Sequence, residues 1–228
     1  RGFDAITRPV PAYSTLGFFS DPVLSTMLKY SDDELANLIM HELTHSTIYF
    51  PDKTNFNESL ASFVGDAGSL QFMEHIWGKT HPMVATVRAR HSDRERFRDF
   101  MRLVVADLDS LYSAKTTKDS VLENRKVIFA AWQKRFSSQL KYFNNPDYYR
   151  GFLDWKVNNA RLLSYRRYNS NQNAFSKLYR MTGENLRQYL GLIKTCDKKT
   201  NPWSCLNDLA GDFQRKIDIR NNLNKGHL

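Results

Sequence analysis

Residues 31–48 read SDDELANLIMHELTHSTI, and this stretch predicts an amphipathic helix. Ser31 is a favoured N-cap residue, the acidic residues 32–34 suit a first helical turn, and Glu34 stands where a capping box needs it. Apolar residues then recur at helical spacing, at Leu35, Leu38, Ile39, Leu43 and Ile48. We therefore expect the HELTH sequence at 41–45 to lie on a well-started helix, on its buried or cleft-lining side.

The HELTH sequence places two histidines four residues apart. Residues at this spacing share one face of an α-helix, so His41 and His45 can direct two imidazoles at one metal ion. Glu42 is rotated by about 100° from His41, which leaves its carboxylate beside the metal and free to act as a base on a water molecule. The spacing is therefore typical of a zinc hydrolase with Glu42 as general base.

A catalytic zinc ion usually holds three protein ligands, so the two histidines require a third. Glu58 is the candidate because it opens a second helical pattern, which runs roughly from Asn57 to Trp77 with Asn57 as a possible N-cap. Pro51 and the polar residues 52–55 separate the two patterns. A reversal there would lay the second helix antiparallel to the first and return Glu58 to the histidines.

Five stretches of the chain, taken in order, resemble a bacterial family of predicted aminopeptidases. They are YSTLG at 13–17, DPVLS at 21–25, HELTH at 41–45, FNESLASFVG at 56–65 and NNA at 158–160. Members of that family are zincins of the gluzincin type, in which a glutamate on a second helix is the third ligand. The resemblance covers nearly the whole chain. It implies Zn²⁺ at His41, His45 and Glu58, Glu42 as general base, a peptide substrate, and a periplasmic or cell-envelope location.

Two features depart from the better-known gluzincins. Thermolysin-like enzymes carry an Asp four residues after the ligand glutamate, where it supports a ligand histidine; here this position is Ser62, which could take a weaker supporting role. The Gly-x-Met-Glu-Asn strand with which other aminopeptidases bind the free amine of their substrate is not found in the sequence. Zinc-dependent peptide hydrolysis therefore rests on more of the sequence than aminopeptidase specificity does.

A hydrolase of this type also needs a hydrogen-bond donor for the tetrahedral oxyanion, and the two metal helices do not supply one. Tyr168 follows the NNA stretch at the spacing of the family pattern, and we expect it to be this donor. Tyr165, Tyr148 and Tyr149 remain as alternatives.

The resemblance also implies a fold in which the metal helix lies beneath an antiparallel sheet. Only Phe3–Ile6 and Val10–Phe19 look extended here, and Tyr13–Leu16 is the candidate edge strand for substrate. Family members carry an N-terminal region that this chain, which begins at Arg1, lacks. We therefore expect a missing N-terminal region, or another chain, to complete the sheet.

Beyond Gly78 the sequence becomes helical in pattern. An apolar period near 3.6 runs through residues 83–114, 117–143, 147–167 and 171–195, the last interrupted by Gly183. We predict a mainly α protein of the α+β class. A zincin-like catalytic core with a remnant sheet and the two metal helices would occupy 1–78, and a C-terminal helical bundle at 79–228 would close the cleft.

The charge of the chain raises the question of a nucleic-acid partner. The net charge is +9, and six arginines fall within residues 88–102. Acidic residues interleave with them at pairing distances, which favours a salt-bridged, solvated helix face over nucleic-acid binding. No apolar stretch approaches the roughly 20 residues that a transmembrane helix needs.

Cys196 and Cys205 flank a short polar loop, and we expect a disulfide bond between them. Such a bond indicates an oxidising compartment, which agrees with the periplasmic or envelope location. A competing hypothesis for the whole chain is a non-catalytic helical binding protein on a zincin scaffold. Glu42 argues against it, because a scaffold has no use for a base beside the metal.

Overall fold

The computed structural model describes residues 4–7 and 24–225, with side chains described as far as residue 215. Helices form most of this part of the chain. Their bounds are α1 Asp32–Thr47, α2 Thr54–Trp77, α3 Pro82–Ser113, α4 Lys118–Gln139, α5 Pro146–Arg150, α6 Asn159–Asn169, α7 Gln172–Met181, α8 Leu186–Lys194 and α9 Pro202–Lys225. Short 3-10 turns occur at Ser25–Lys29, Leu140–Tyr142 and Gly151–Asp154.

The predicted α+β class and the small β-containing N-terminal segment are wrong. Residues 4–7 and 24–225 contain helices and turns but no strand, so the fold of the described chain is all-helical. Residues 10–19, with the candidate edge strand Tyr13–Leu16, lie outside the described residues. The strand-favouring pattern at Phe3–Ile6 gives no strand in its described residues 4–6, because a strand needs a neighbouring strand to bind its backbone groups.

Residues 4 and 5 bind α4 and the start of α6 instead. The carboxylate of Asp4 accepts hydrogen bonds from Arg125 Nη1 at 2.7 Å and from the backbone N–H of Asn159 at 2.9 Å. Asn158 Nδ2 donates to the backbone oxygen of Ala5 at 2.9 Å. Two residues of the NNA stretch thus hold the start of the described chain.

The chain divides into two compact units. We call Arg1–Arg8 with Trp77–Ser164 the long-helix unit, and Pro9–Ile76 with Tyr165–Leu228 the histidine unit. The sequence analysis placed one boundary after residue 78 and assigned 79–228 to a single domain. The chain also passes between the units after Arg8 and within α6, the latter because α7, α8 and α9 pack on α2.

The histidine unit is built around one apolar core. Phe56, Leu60 and Val64 of α2 lie at helical spacing and are buried. They pack in one cluster with residues of the three last helices, which are Phe175, Leu178, Tyr179, Tyr189, Ile193, Leu206 and Ala210. The predicted disulfide is confirmed: Cys196 and Cys205 are bonded and belong to the same core. These contacts hold α2, and with it Glu58, in place.

The long-helix unit has an aromatic core. α3 and α4 run antiparallel, with Phe97 and Phe100 of α3 against Phe136 of α4, and Phe152 contacts all three rings at 5.0–5.7 Å. Along α3, Glu95 pairs with Arg98 and Asp99 with Arg102, as the charge pattern predicts. No helix in the described chain combines the length and the apolar character that crossing a membrane requires.

Candidate metal centre

α1 begins as the sequence predicts. The backbone N–H of Ser31 donates to the Glu34 carboxylate at 3.0 Å, which is half of a capping box. The helix then runs from Asp32 to Thr47 without a break. His41, Glu42 and His45 therefore lie within a turn and a half of one regular helix.

The apolar stripe predicted for α1 is only partly buried. Ile48 is buried, but the exposed fraction of Ile39 is 45% and that of Leu43 is 57%. Residues two apart on a helix point about 200° apart. Since His41 and His45 face α2, Ile39 and Leu43 point the other way, and their burial was predicted wrongly.

The chain reverses between α1 and α2 with the help of a buried asparagine. Asn57, which is 2% exposed, accepts a hydrogen bond from Phe50 N–H at 3.0 Å and donates to Phe50 O at 2.8 Å. α2 begins at Thr54, earlier than predicted, so Asn57 lies inside the helix and is not its N-cap. Its amide group instead binds the backbone of the reversal, which fixes the direction in which α2 leaves.

α2 lies antiparallel against α1, as the sequence predicts. Near the start of α1, Asn37 Nδ2 donates to Asp66 Oδ1 at 2.9 Å, whereas near its end the histidines reach back to Glu58. Gly65 allows the close approach, because a Cβ atom there would lie 2.9 Å from the backbone oxygen of Asn37. The two helices thus bring all three predicted ligands to one place.

The three donor atoms form a small triangle. His41 Nε2 lies 3.3 Å from His45 Nε2 and 3.4 Å from Glu58 Oε2, and His45 Nε2 lies 3.7 Å from the same oxygen. The side chains are 15%, 11% and 21% exposed, respectively. They form the one group of potential metal ligands found in the described chain. The site is therefore well enclosed but open to solvent.

These separations fit a zinc ion. Tetrahedral zinc with nitrogen and oxygen ligands at about 2.0–2.2 Å has its donor atoms about 3.3–3.6 Å apart. Two of the observed distances lie in that range and the third is about 0.1 Å longer. Two imidazoles and one carboxylate are also a common ligand set of catalytic zinc, which keeps its fourth position for water or substrate.

The electrostatics of the site favour a charged Glu58. Burial by itself raises the pKa of this carboxyl group. Hydrogen bonds from His41 and His45, together with their charges, outweigh that effect and lower the pKa to about 2 from an ordinary 4.5. Glu58 therefore presents an anionic oxygen to the two imidazoles at neutral pH.

Glu42 is half-buried and follows His41 directly on α1. Within the described chain it takes part in no hydrogen bond or ion pair. Its carboxylate oxygens are thus not bound to another described group. Among residues 4–7 and 24–225, no contact of Glu42 accounts for a carboxylate at this position.

Tyr168 lies beside the metal-binding triangle. Its ring centroid is 6.1 Å from that of His41, and the two ring planes are inclined by 26°. Tyr165 lies one turn earlier on α6. Tyr148 and Tyr149 belong to the long-helix unit, where burial raises the pKa of Tyr149 to about 12 and Tyr148 is 77% exposed. The ring contact with His41 makes Tyr168 the candidate that this geometry supports.

Three further polar residues near the site differ from what the sequence indicated. Ser62 makes no hydrogen bond with either ligand histidine in the part of the chain described. Sequence reasoning missed Ser59 and Gln172, two buried polar residues that contact the turn carrying Tyr168. The position of Ser59 next to Glu58 was a signal for it, whereas no pattern marks Gln172.

One of three comparisons with known proteins assigns the chain to a family. A sequence model of the family described as "Putative aminopeptidase" matches residues 1–202, which include α1, α2 and Tyr168. No curated protein and no solved structure matches the chain.

Proposed function

Since the chain belongs to the family described as "Putative aminopeptidase", we propose that it is a zinc metallopeptidase of the gluzincin type, with His41, His45 and Glu58 as ligands. The observation that carries the proposal is the triangle of donor atoms, whose edges of 3.3, 3.4 and 3.7 Å suit one zinc ion. Its assembly from the two helices that hold HELTH and Glu58 supports the gluzincin type.

The residues around the triangle take separate roles in hydrolysis. A zinc ion bound there supplies Lewis-acid polarisation of the scissile carbonyl and acidifies water. Glu42 accepts the proton of the attacking water and returns it to the leaving amine. Its half-buried carboxylate is free for this exchange, because no described group binds it.

Tyr168 donates a hydrogen bond to the oxyanion that forms on the substrate carbonyl. The contact of its ring with that of His41, at 6.1 Å between centroids, supports this role. A donor held close to the developing charge stabilises the transition state more than the ground state, and so raises kcat more than it lowers KM.

The substrate we propose is a peptide with a free N-terminus, as the family description indicates. We also propose that the protein works in the periplasm or cell envelope. The buried Cys196–Cys205 disulfide supports this location, because structural disulfides persist in oxidising compartments.

The test combines metal analysis with hydrolysis of two peptides that differ only in N-acetylation. We expect about one zinc ion per chain and cleavage of the free-amine peptide alone. Cleavage of both peptides would contradict the aminopeptidase assignment but retain the metallopeptidase. A chain that neither binds zinc nor cleaves either peptide would contradict the whole proposal and favour a non-catalytic binding protein.

Glu42→Gln tests the base in particular. The amide keeps the shape of the side chain but cannot accept the proton, so we expect turnover to fall by about 10² to 10⁴ with zinc still bound. Glu34→Gln is the matched control on the same helix, because glutamine also serves in a capping box. Loss of zinc from Glu42→Gln, or retention of most of its activity, would contradict the role of Glu42.

A further inference from the structure

The turn of α6 that carries Tyr168 has an unusual set of hydrogen bonds. The last carbonyl groups of an α-helix have no partner within the helix. At this end of α6, side chains bind four successive carbonyl groups, the last three of which belong to the final turn: Tyr165 O is bound by Asn169 Nδ2 at 2.8 Å, Arg166 O by Ser170 Oγ at 2.7 Å, Arg167 O by Ser59 Oγ at 2.9 Å, and Tyr168 O by Gln172 Nε2 at 3.3 Å. Two of these four side chains come from other helices.

Ser59 connects this turn to the turn of α2 that carries a ligand. It follows Glu58 directly and is fully buried. Its hydroxyl donates to Arg167 O and accepts from the backbone N–H of Ser170 at 3.1 Å. The residues on both sides of Tyr168 are therefore held by a side chain one position away from a ligand.

Gln172 completes the connection from the start of α7. Its Nε2 donates both to Ser59 O at 2.8 Å and to Tyr168 O. Between α6 and α7 the chain turns at Asn171, which is in the left-handed region with φ of 47°. Ser59 and Gln172 thus bind the backbone at Arg167, Tyr168 and Ser170, on the turn that carries Tyr168 and directly after it.

We infer that Ser59 and Gln172 are positioning residues, which fix Tyr168 relative to His41 and Glu58. The consequence for catalysis rests on the proposed function, because it requires Tyr168 to act as oxyanion donor. Misplacement of a catalytic group by about 1 Å can cost about 10² in rate. A rigid link between Tyr168 and the turn that carries Glu58 keeps the distance and orientation between the oxyanion donor and the metal ligand constant.

Only the nitrogen of the Gln172 amide is hydrogen-bonded in the described chain. Gln172 is 8% exposed, and its Oε1 is buried with no hydrogen-bond partner in the described chain. A buried oxygen without a partner destabilises the fold, and an apolar side chain of the same length would avoid this. The Nε2 group, which binds two backbone oxygens at once, accounts for a glutamine at this position.

The experiment uses Ser59→Ala and Gln172→Met, which remove the donors and keep the side chains small or of equal length. Ser69→Ala is the matched control. Ser69 is a second buried serine on α2, but its hydroxyl donates to Asp66 O within the same helix. If Ser59→Ala fails to fold, Gln172→Met still tests the inference. Its own effect on folding is offset, because it also removes a buried oxygen that has no hydrogen-bond partner in the described chain.

The first measurement does not depend on activity. In the zinc-loaded protein, NMR follows the contact between the Tyr168 and His41 rings and the hydrogen exchange of the Ser170 amide. We expect Ser59→Ala to weaken the ring contact at least twofold and to speed hydrogen exchange of the Ser170 amide about tenfold or more. Gln172→Met should also weaken the ring contact. In Ser69→Ala both the ring contact and the Ser170 exchange rate should be unchanged. An unchanged ring contact in Ser59→Ala and Gln172→Met would overturn the inference.

The second measurement separates positioning from general destabilisation. We expect Ser59→Ala to lower kcat about tenfold with KM unchanged, Tyr168→Phe to lower it about a hundredfold, and the double variant to be no slower than Tyr168→Phe. Losses that multiply to about a thousandfold would mean that Ser59 acts independently of Tyr168, while the proposed function would stand. If the parent protein cleaves no peptide, the proposed function fails and the ring contact alone decides the inference.

Discussion

The contact between α1 and α2 at Gly65 tests how the metal centre is assembled. A Cβ atom at Gly65 would lie 2.9 Å from the backbone oxygen of Asn37 and 3.1 Å from its Oδ1. Ordinary contacts of a Cβ atom begin near 3.4 Å. The side chain of Asn37 can rotate away but its backbone oxygen cannot, so Gly65→Ala requires the two helices to separate by about 0.5 Å.

The magnitude follows from two opposing terms. Alanine in place of glycine within a helix gains about 1 kcal/mol, whereas overpacking costs about 1–3 kcal/mol. Gly191→Ala in α8 of the same unit is the matched control, because nothing lies within 4 Å of a Cβ atom there. The control should receive the gain without the cost. We therefore expect Gly191→Ala to be the more stable variant by about 1–3 kcal/mol.

Urea unfolding of the metal-free variants measures this difference, and a zinc competition titration measures its effect on the site. Because Glu58 is on α2 and the histidines are on α1, separation of the helices should weaken zinc binding about tenfold or more, as loss of supporting contacts does elsewhere. Equal stability and equal zinc affinity of Gly65→Ala and Gly191→Ala would refute the close helix contact.

Three further outcomes are expected. Tyr168→Phe should lower kcat about a hundredfold with zinc content unchanged, measured by steady-state kinetics and metal analysis; an undiminished kcat would remove Tyr168 from the mechanism. Replacing Cys196 and Cys205 with alanine should lower the free energy of unfolding by at least about 2.5 kcal/mol, the chain-entropy estimate for residues nine apart, and unchanged stability in urea would contradict this. The pKa of Glu58 is lowered on folding, so its stabilisation of the metal-free protein is present above pH 4.5 and is lost as the pH falls toward about 2. Glu58→Gln should flatten the acid unfolding curve in this range, and a curve identical to that of the parent would show that the carboxylate is not paired with the histidines.

Local sequence was sufficient for the helix that carries the histidines. Capping at Ser31 and Glu34 and the spacing of His41 and His45 depend on residues at most four apart, and the structure has the helix where these signals place it. The reversal at Pro51 and the antiparallel return of Glu58 could also be predicted, because α1 and α2 are consecutive and joined by a short turn. The start of α2 was missed by three residues, since Asn57 binds the backbone of the reversal and does not cap the helix.

Patterns of strand propensity misled the assignment of fold class. Residues 3–6 favour strands by composition, but a strand exists only where another strand pairs with it. In the described chain Asp4 binds the Arg125 side chain of α4 and Ala5 binds Asn158, directly before α6. The composition of a segment indicates which secondary structures it favours but not which segment it will pack against.

By itself the sequence determined the helix that carries His41, Glu42 and His45 and predicted a second helix that returns Glu58 to them, because these four residues lie within 18 residues of one another. Only the tertiary structure decided that the last helices fold back on α2 and bring Tyr168 beside His41. Helical periodicity shows which face of a helix is apolar but not which helix will cover it. Ser59 and Gln172 meet across 113 residues of chain, and contacts at that separation depend on how the whole core packs, for which no local pattern exists.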